Sequence, residues 1–157
     1  MPSEASQIEN ANEERLAEAA AQLRMAIVRT SRRLRQEAAA EATGLTPTSV
    51  AALATIERHG PLTPSELAEI ERVKRPSMTR ILGCLEREGL IERTPDPADG
   101  RSSLVAVNDA GREQLARLRR RKSAYLARRL RKLDPDEVET LARAAELLER
   151  MREDERG

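Results

Sequence analysis

Aromatic side chains are almost missing from this chain. Among 157 residues there is one tyrosine and neither phenylalanine nor tryptophan. A core without rings has to be assembled from Leu, Ile, Val, Met and Ala, and a ligand that binds by stacking would find only Tyr125. The single cysteine, Cys84, excludes an intrachain disulfide and a multi-cysteine zinc site, and the single histidine, His59, excludes most imidazole-based clusters. We therefore expect no metal and no cofactor. There is no apolar run of about eighteen residues, and the first residues are polar and acidic, so neither a membrane span nor a signal peptide is expected. A cytoplasmic protein without a membrane partner follows. No phosphate loop, nucleophile with a paired base or metal-ligand spacing is visible, which argues against an enzyme.

What the chain does have is Ala, Leu and Arg, with 35% charged residues, a composition that favours helix over sandwich or barrel. Its length suits one domain with extensions. A net charge of +1 conceals a strongly uneven distribution. Residues 1–20 hold five acids and one base, and residues 72–80 hold four bases and no acid. Ten bases face Glu113 alone over residues 112–132, and nine acids face four bases from Asp134 onward. The last two blocks are expected to compensate one another as two packed helices, in preference to forming a second nucleic-acid contact.

The organising stretch is residues 62–107. A short helix opens at Thr63, with Pro64 at its first position and Glu66 three residues on, a capping box with a pre-set φ. Leu67, Ala68 and Ile70 form its apolar face. The pattern breaks over Ile70-Glu71-Arg72-Val73, and a second helix starts near Arg75-Pro76 with Met78, Ile81, Leu82 and Leu85 on one buried stripe. Gly89 closes it. Two short helices joined by a tight turn are a helix-turn-helix. Strands follow at residues 90–94 and 102–107, with Val105 and Val107 on one face and Leu104 and Ala106 on the other. Between them lies the turn-forming run Pro95-Asp96-Pro97-Ala98-Asp99-Gly100-Arg101. A hairpin after the second helix makes a wing.

The run EREGLIERTPDPADGRSSLVAVNDAGRE resembles the wing of MarR-type winged-helix regulators, whose pattern is close to LE-x-x-G-L-[IV]-x-R-x-x-x-P-x-D-x-R-[ST]. The resemblance covers about 45 residues. It implies a homodimeric transcriptional regulator, usually a repressor, that binds a pseudo-palindromic operator and is released by a small molecule or an oxidant. It also implies an inducer site between the dimer helices and the winged helix. This chain departs from the family in two places: the turn before the second helix often carries glycine but here reads Ile70-Glu71-Arg72-Val73, and Lys74 replaces the usual small hydroxyl N-cap.

On either side of the winged helix (residues 45–107) lie long helical patterns. Residues 1–11 are expected to fray, and residues 12–44 to form a helix to about Ala42 with Leu16, Ala20, Leu23, Ile27, Leu34 and Ala38 at three- and four-residue steps. Thr46-Pro47 starts a further helix with Val50, Leu53, Ala54 and Ile56 facing inward. Residues 108–157 read as two helices, the first capped by Asn108 and continuing to about Lys132, the second opened by Asp134-Pro135. The terminal helices carry more apolar length than the centre can cover, so a symmetric homodimer built from both ends of the chain is expected.

In helix-turn-helix docking the start of the second helix enters the major groove. Lys74, Arg75, Ser77, Thr79 and Arg80 occupy that start, with Ser77 and Arg80 sharing an outward face, and arginine can bridge guanine O6 and N7. Arg101 at the wing tip suits the narrow minor groove, bracketed by Asp99 as the D-x-R pattern implies. Arg93 on the first strand, and Thr63 and Ser65 at a helix start, suit phosphate contacts. Double-stranded DNA is thus the expected partner. Cys84 adjoins Ile81 and Leu85 and reads as a buried structural thiol. Arg29 and Arg33 could pair an anion but read as surface charges. The competing assignment is a helical dimerisation or protein-interaction module whose winged helix is not used for ligand-regulated DNA binding.

Overall fold

The computed structural model describes residues 4–39, 44–98 and 102–154. Among them, six helices and one hairpin follow in the order α1 (Glu4–Ala39), α2 (Pro47–His59), α3 (Pro64–Ile70), α4 (Arg75–Arg87), β1 (Ile91–Pro95), β2 (Ser103–Val107), α5 (Asp109–Leu130) and α6 (Pro135–Asp154). The architecture is the expected one, mainly α with a small β wing.

Local chemistry sets most helix starts. Thr46 accepts a bond from the Ser49 N–H at 3.1 Å, and Asn108 accepts one from the Gly111 N–H at 2.9 Å. Asp134 and Glu137 exchange bonds at 2.8 and 3.0 Å, a reciprocal cap on α6. Several boundaries differ from expectation, and the strands run Ile91–Pro95 and Ser103–Val107 where residues 90–94 and 102–107 are expected. Helix α1 begins at Glu4 rather than near Asn12, because residues 5–11 contain no helix breaker and Ile8 extends the apolar stripe two turns before Leu16. Its 36 residues span about 54 Å; the expected end at Ala42 lies outside the described residues. Strand β1 starts at Ile91 because the Leu90 N–H is spent on the Leu85 carbonyl, closing α4. Helix α5 ends at Leu130, two residues before Lys132.

The core lies between α2, α3, α4, the hairpin and the first turns of α5. Leu53, Leu67, Met78, Leu82, Leu85 and Val105 are each fully buried there. The strands pair antiparallel with Ile91 opposite Val107 and Arg93 opposite Val105. Leu62, in the linker between α2 and α3, exchanges bonds with Val105 at 3.1 and 2.8 Å and so fastens the base of the wing to the helix pair. On α2 the buried face is Ser49, Ala52, Leu53, Thr55 and Ile56, whereas Val50 and Ala54 are only half-buried and turn toward α1 and α5.

Charge compensation takes a different route from the expected one. Arg119 of α5 pairs with Glu57 of α2, and Arg128 lies 3.8 Å from Glu37 of α1. The α6 acids Glu146 and Glu149 bind Arg143 and Arg152 of their own helix. Those pairs link α5 to α1 and α2, two further α5 arginines pair within α5, and the two α6 acids stay within α6. No side chain described in α1 or α6 is buried, and Leu16, Val28, Leu141 and Met151 are about half to two-thirds exposed.

The wing is held to α5 by one tight junction. The Asn108 amide donates to the Gly89 carbonyl at 2.9 Å, and a Cβ on Gly111 would lie 2.2 Å from the Leu90 carbonyl oxygen and 2.7 Å from Val107 Cγ1. Helix propensity alone predicts that Gly111→Ala stabilises by about 1 kcal/mol. Overpacking against backbone should reverse that sign, and we expect a net loss of about 1–3 kcal/mol in denaturant unfolding; a stabilised variant would show that the junction is loose.

Candidate nucleic-acid interface

The turn between α3 and α4 is built by backbone hydrogen bonds. The Arg72 N–H donates to the Glu69 carbonyl at 3.1 Å and the Val73 N–H to the Ala68 carbonyl at 2.9 Å. This double closure requires its first residue to be left-handed, and Arg72 has φ 53°, among the described residues the only positive φ outside glycine. A side chain there costs about 1–2 kcal/mol. Val73 then packs on the core, and Glu71 accepts a bond from the Thr55 hydroxyl of α2. The missing glycine changes the residue, not the geometry of the turn.

Lys74 occupies the N-cap of α4 without a side-chain cap bond, as its chemistry dictates. From there the helix has two unlike faces. Met78, Leu82 and Leu85 are 0% exposed, and Ile81 is half-buried against the same core. Lys74, Arg75, Ser77, Thr79 and Arg80 are all exposed, and none of the three cations has an ion-pair partner among the described residues. The Thr79 hydroxyl donates back to the Arg75 carbonyl at 3.1 Å. All five residues therefore face outward, with the three cations and the Ser77 hydroxyl available to a partner and the Thr79 hydroxyl donating back to the helix.

Other expected positions are less available. The Thr63 hydroxyl is engaged with Glu66, donating at 2.8 Å and accepting from the Glu66 N–H at 3.2 Å. The Glu66 carboxylate also takes the Thr63 N–H at 2.8 Å, so this helix start already holds an anion of its own. Those bonds from the Thr63 backbone and hydroxyl hold the Glu66 carboxyl below the usual carboxylate range. Ser65 is half-buried beside it. Arg93 is gripped by Glu86, with Nε 2.5 Å and Nη2 3.3 Å from its two oxygens, and also reaches the Ser103 hydroxyl at 3.3 Å. Asp99 and Arg101 lie outside the described residues. Cys84 is half-buried rather than buried, because it sits beside the Leu82–Leu85 stripe instead of on it.

Away from this surface, α1, α2 and α5 enclose a cleft of about 370 Å³. Leu34, Leu45, Val50, Ala54 and Leu118 supply its apolar wall, and Arg35 and Lys122 are the charged residues at its edge. Sequence reasoning singled out Arg29 and Arg33 instead. Arg33 is committed elsewhere, 2.9 Å from Glu37 and 5.6 Å from the Tyr125 ring centroid, with Arg129 at 5.4 Å from the same ring. Burial raises the Tyr125 phenol, but hydrogen bonds and charge from Arg129 and Arg33 outweigh it and leave its pKa lowered. Only the packing of α1 on α5 reveals that Arg33 faces the tyrosine and Arg35 the cleft.

Comparison with known proteins places this geometry. The MarR family model matches residues 45–103. An uncharacterised HTH-type transcriptional regulator of Mycobacterium bovis is 40% identical over 129 residues, covering 82% of this chain and 89% of the relative. The HTH-type transcriptional repressor MdtR of Bacillus subtilis is 33% identical over 98 residues, covering 62% of this chain and 63% of its own. Among solved structures, a candidate transcriptional regulator from Pseudomonas aeruginosa PA01 superposes with a TM-score of 0.76 at 34% identity, over 87% of this chain and 95% of that one. Wild-type MarR from E. coli, in its apo form, gives 0.65 at 25% identity, over 82% and 95%.

The capping box has a pH signature. A folded-state pKa below the unfolded one adds stability that is complete above the ordinary glutamate value and is lost as pH falls through the lowered value. Glu66→Gln keeps the neutral bond but not the charge, so its melting temperature should lie below wild type at neutral pH and converge on it in acid. A gap that stays constant across that range would disprove the charge contribution.

Proposed function

The chain belongs to the MarR family of DNA-binding transcriptional regulators, and from that premise we propose that it is a cytoplasmic homodimeric repressor, displaced from a pseudo-palindromic operator by a small-molecule inducer. The observation that carries this reading is the two-faced α4, with Met78, Leu82 and Leu85 wholly inside and Lys74, Arg75, Ser77, Thr79 and Arg80 outside without acidic partners. In this assignment Arg75 or Arg80 bridges guanine in the major groove, while Ser77 and Thr79 reach bases or phosphates. Arg101, bracketed by Asp99, enters the adjacent minor groove. Arg93, Thr63 and Ser65 are weaker members of the set. Arg93 would have to leave Glu86, and a phosphate at Thr63 would meet the Glu66 carboxylate.

The exposed apolar positions of α1 and α6 support dimerisation through residues 12–44 and 108–157, and regulators of this family act as dimers. Two copies of α4 then face half-sites about one helical turn, ~34 Å, apart, so the operator mirrors the two-fold axis. The repressor assignment follows the name of MdtR. Inducer release is assigned to the cleft of α1, α2 and α5. Helix α2 contributes Val50 and Ala54 to that cleft and Leu53 and Ile56 to the core that carries α4. A ligand that preferred a shifted α2 would therefore shift α4 as well.

Fluorescence anisotropy on duplex DNA flanking the chain's own gene, across a salt series, tests the assignment. Selective binding should weaken with a log–log slope of about −0.9 for each phosphate neutralised. Arg80→Ala should remove about 1–3 kcal/mol of discrimination between operator and scrambled duplex. Arg101→Ala should weaken operator binding while the dimer and its melting temperature stay unchanged. Equal affinity for scrambled DNA in a random-site selection would favour the protein-interaction assignment instead.

A further inference from the structure

We infer that Arg72 is an additional DNA contact, a sequence-independent phosphate anchor beside the start of α4, and that its left-handed backbone is tolerated for that role. This rests on the DNA-binding assignment above and adds to it a residue that neither the motif nor the helix boundaries single out.

The structure supplies its own control. Helix α4 ends on the same double closure as α3: the Gly89 N–H donates to the Glu86 carbonyl at 2.9 Å and the Leu90 N–H to the Leu85 carbonyl at 3.0 Å. There the left-handed position is filled by Gly89, and Gly44 and Gly60 fill the other positive-φ positions described. At the turn of the helix pair alone, an identical backbone carries arginine. Local folding therefore does not call for a side chain at this position, and strained residues of this kind concentrate at functional sites.

The side chain is placed to act. Arg72 is exposed and has no ion-pair partner among the described residues, although Glu69 and Glu71 are close in sequence. Glu71 is instead bonded to Thr55. Lys74 follows two residues later, so the two Cα atoms are within about 7 Å. With α4 entering the major groove, a residue just ahead of its N-cap faces the rim of the groove, where the phosphates run. Arginine matches phosphate with paired N–H donors and needs no base. From Arg72 to Arg80 the chain carries Arg72, Lys74, Arg75 and Arg80 and no acid.

The test compares wild type, Arg72→Gly and Arg72→Lys by thermal unfolding and by salt-dependent anisotropy on two labelled duplexes, one from the DNA flanking the gene and one scrambled. Arg72→Gly should melt roughly 2–4 °C higher and bind both duplexes more weakly, with the salt slope shallower by about 0.9 per subunit. The ratio between the two duplexes should not change. Arg72→Lys should keep the slope and the wild-type melting point. If wild type binds with a steep slope and Arg72→Gly matches it, Arg72 is not a contact. A lysine variant as impaired as the glycine variant would also overturn the assignment, because charge would not be the agent. An Arg72→Gly that melts lower would remove the strain from the inference and overturn it in that part. Absence of any DNA binding by wild type is a separate result, and it would bring down the DNA-binding assignment itself.

Discussion

The outward chemistry of this protein depends on burial at three positions of one helix. Met78, Leu82 and Leu85 are spaced four and three apart, and each is sealed completely in the core. Burying each of these side chains contributes roughly 1.5–3 kcal/mol. That gain fixes the rotation of α4 about its axis, because turning the helix by one residue would put Thr79 and Glu86, or Ser77 and Cys84, in the places of Met78 and Leu85, and so bring a hydroxyl or a carboxylate into a core with no polar partner for it. With the rotation fixed, Lys74, Arg75, Ser77, Thr79 and Arg80 have nowhere to point but outward. The candidate interface is a by-product of packing, and its rigidity is inherited from the core.

Helix α2 links that core to the rest of the molecule. One side of it, through Leu53 and Ile56, is part of the packing that holds α4, and the other, through Val50 and Ala54, is a wall of the cleft against α1 and α5. Thr55 ties it to the end of α3, and Glu57 ties it to Arg119. A displacement of α2 consequently has no neutral direction: it disturbs either the cleft or the helix pair. Asn108 and Gly111 do the corresponding job for the wing, locking the start of α5 against the end of α4.

Charge is managed locally rather than by blocks. Most described arginines of α5 that pair do so with an acid on α1, on α2 or within their own helix, while the acids Glu146 and Glu149 of α6 stay on α6. Exposed pairs of this kind contribute little to stability. Their consequence is a distribution: cations at the start of α4 remain uncompensated, whereas Arg93, one strand away, is neutralised by Glu86. The two arginine environments differ only because Glu86 lies one turn before the wing on the face that β1 crosses.

Much of this was legible in the sequence, because it rests on contacts between near neighbours in the chain. Caps at Thr46, Thr63 and Asn108, the stripe of α4, the hairpin and the exposed cationic start of α4 follow from spacings of two to four residues, where the physics is local. Family membership was legible for the same reason, since the wing motif is contiguous. Tertiary structure alone decided the rest. It showed that Arg93 is taken by Glu86, that Arg35 rather than Arg33 borders the cleft, and that α2 divides its apolar residues between two neighbours. Each of these depends on which distant segments meet. The hydrophobic effect that brings them together is non-directional, so no single segment's pattern specifies its partner.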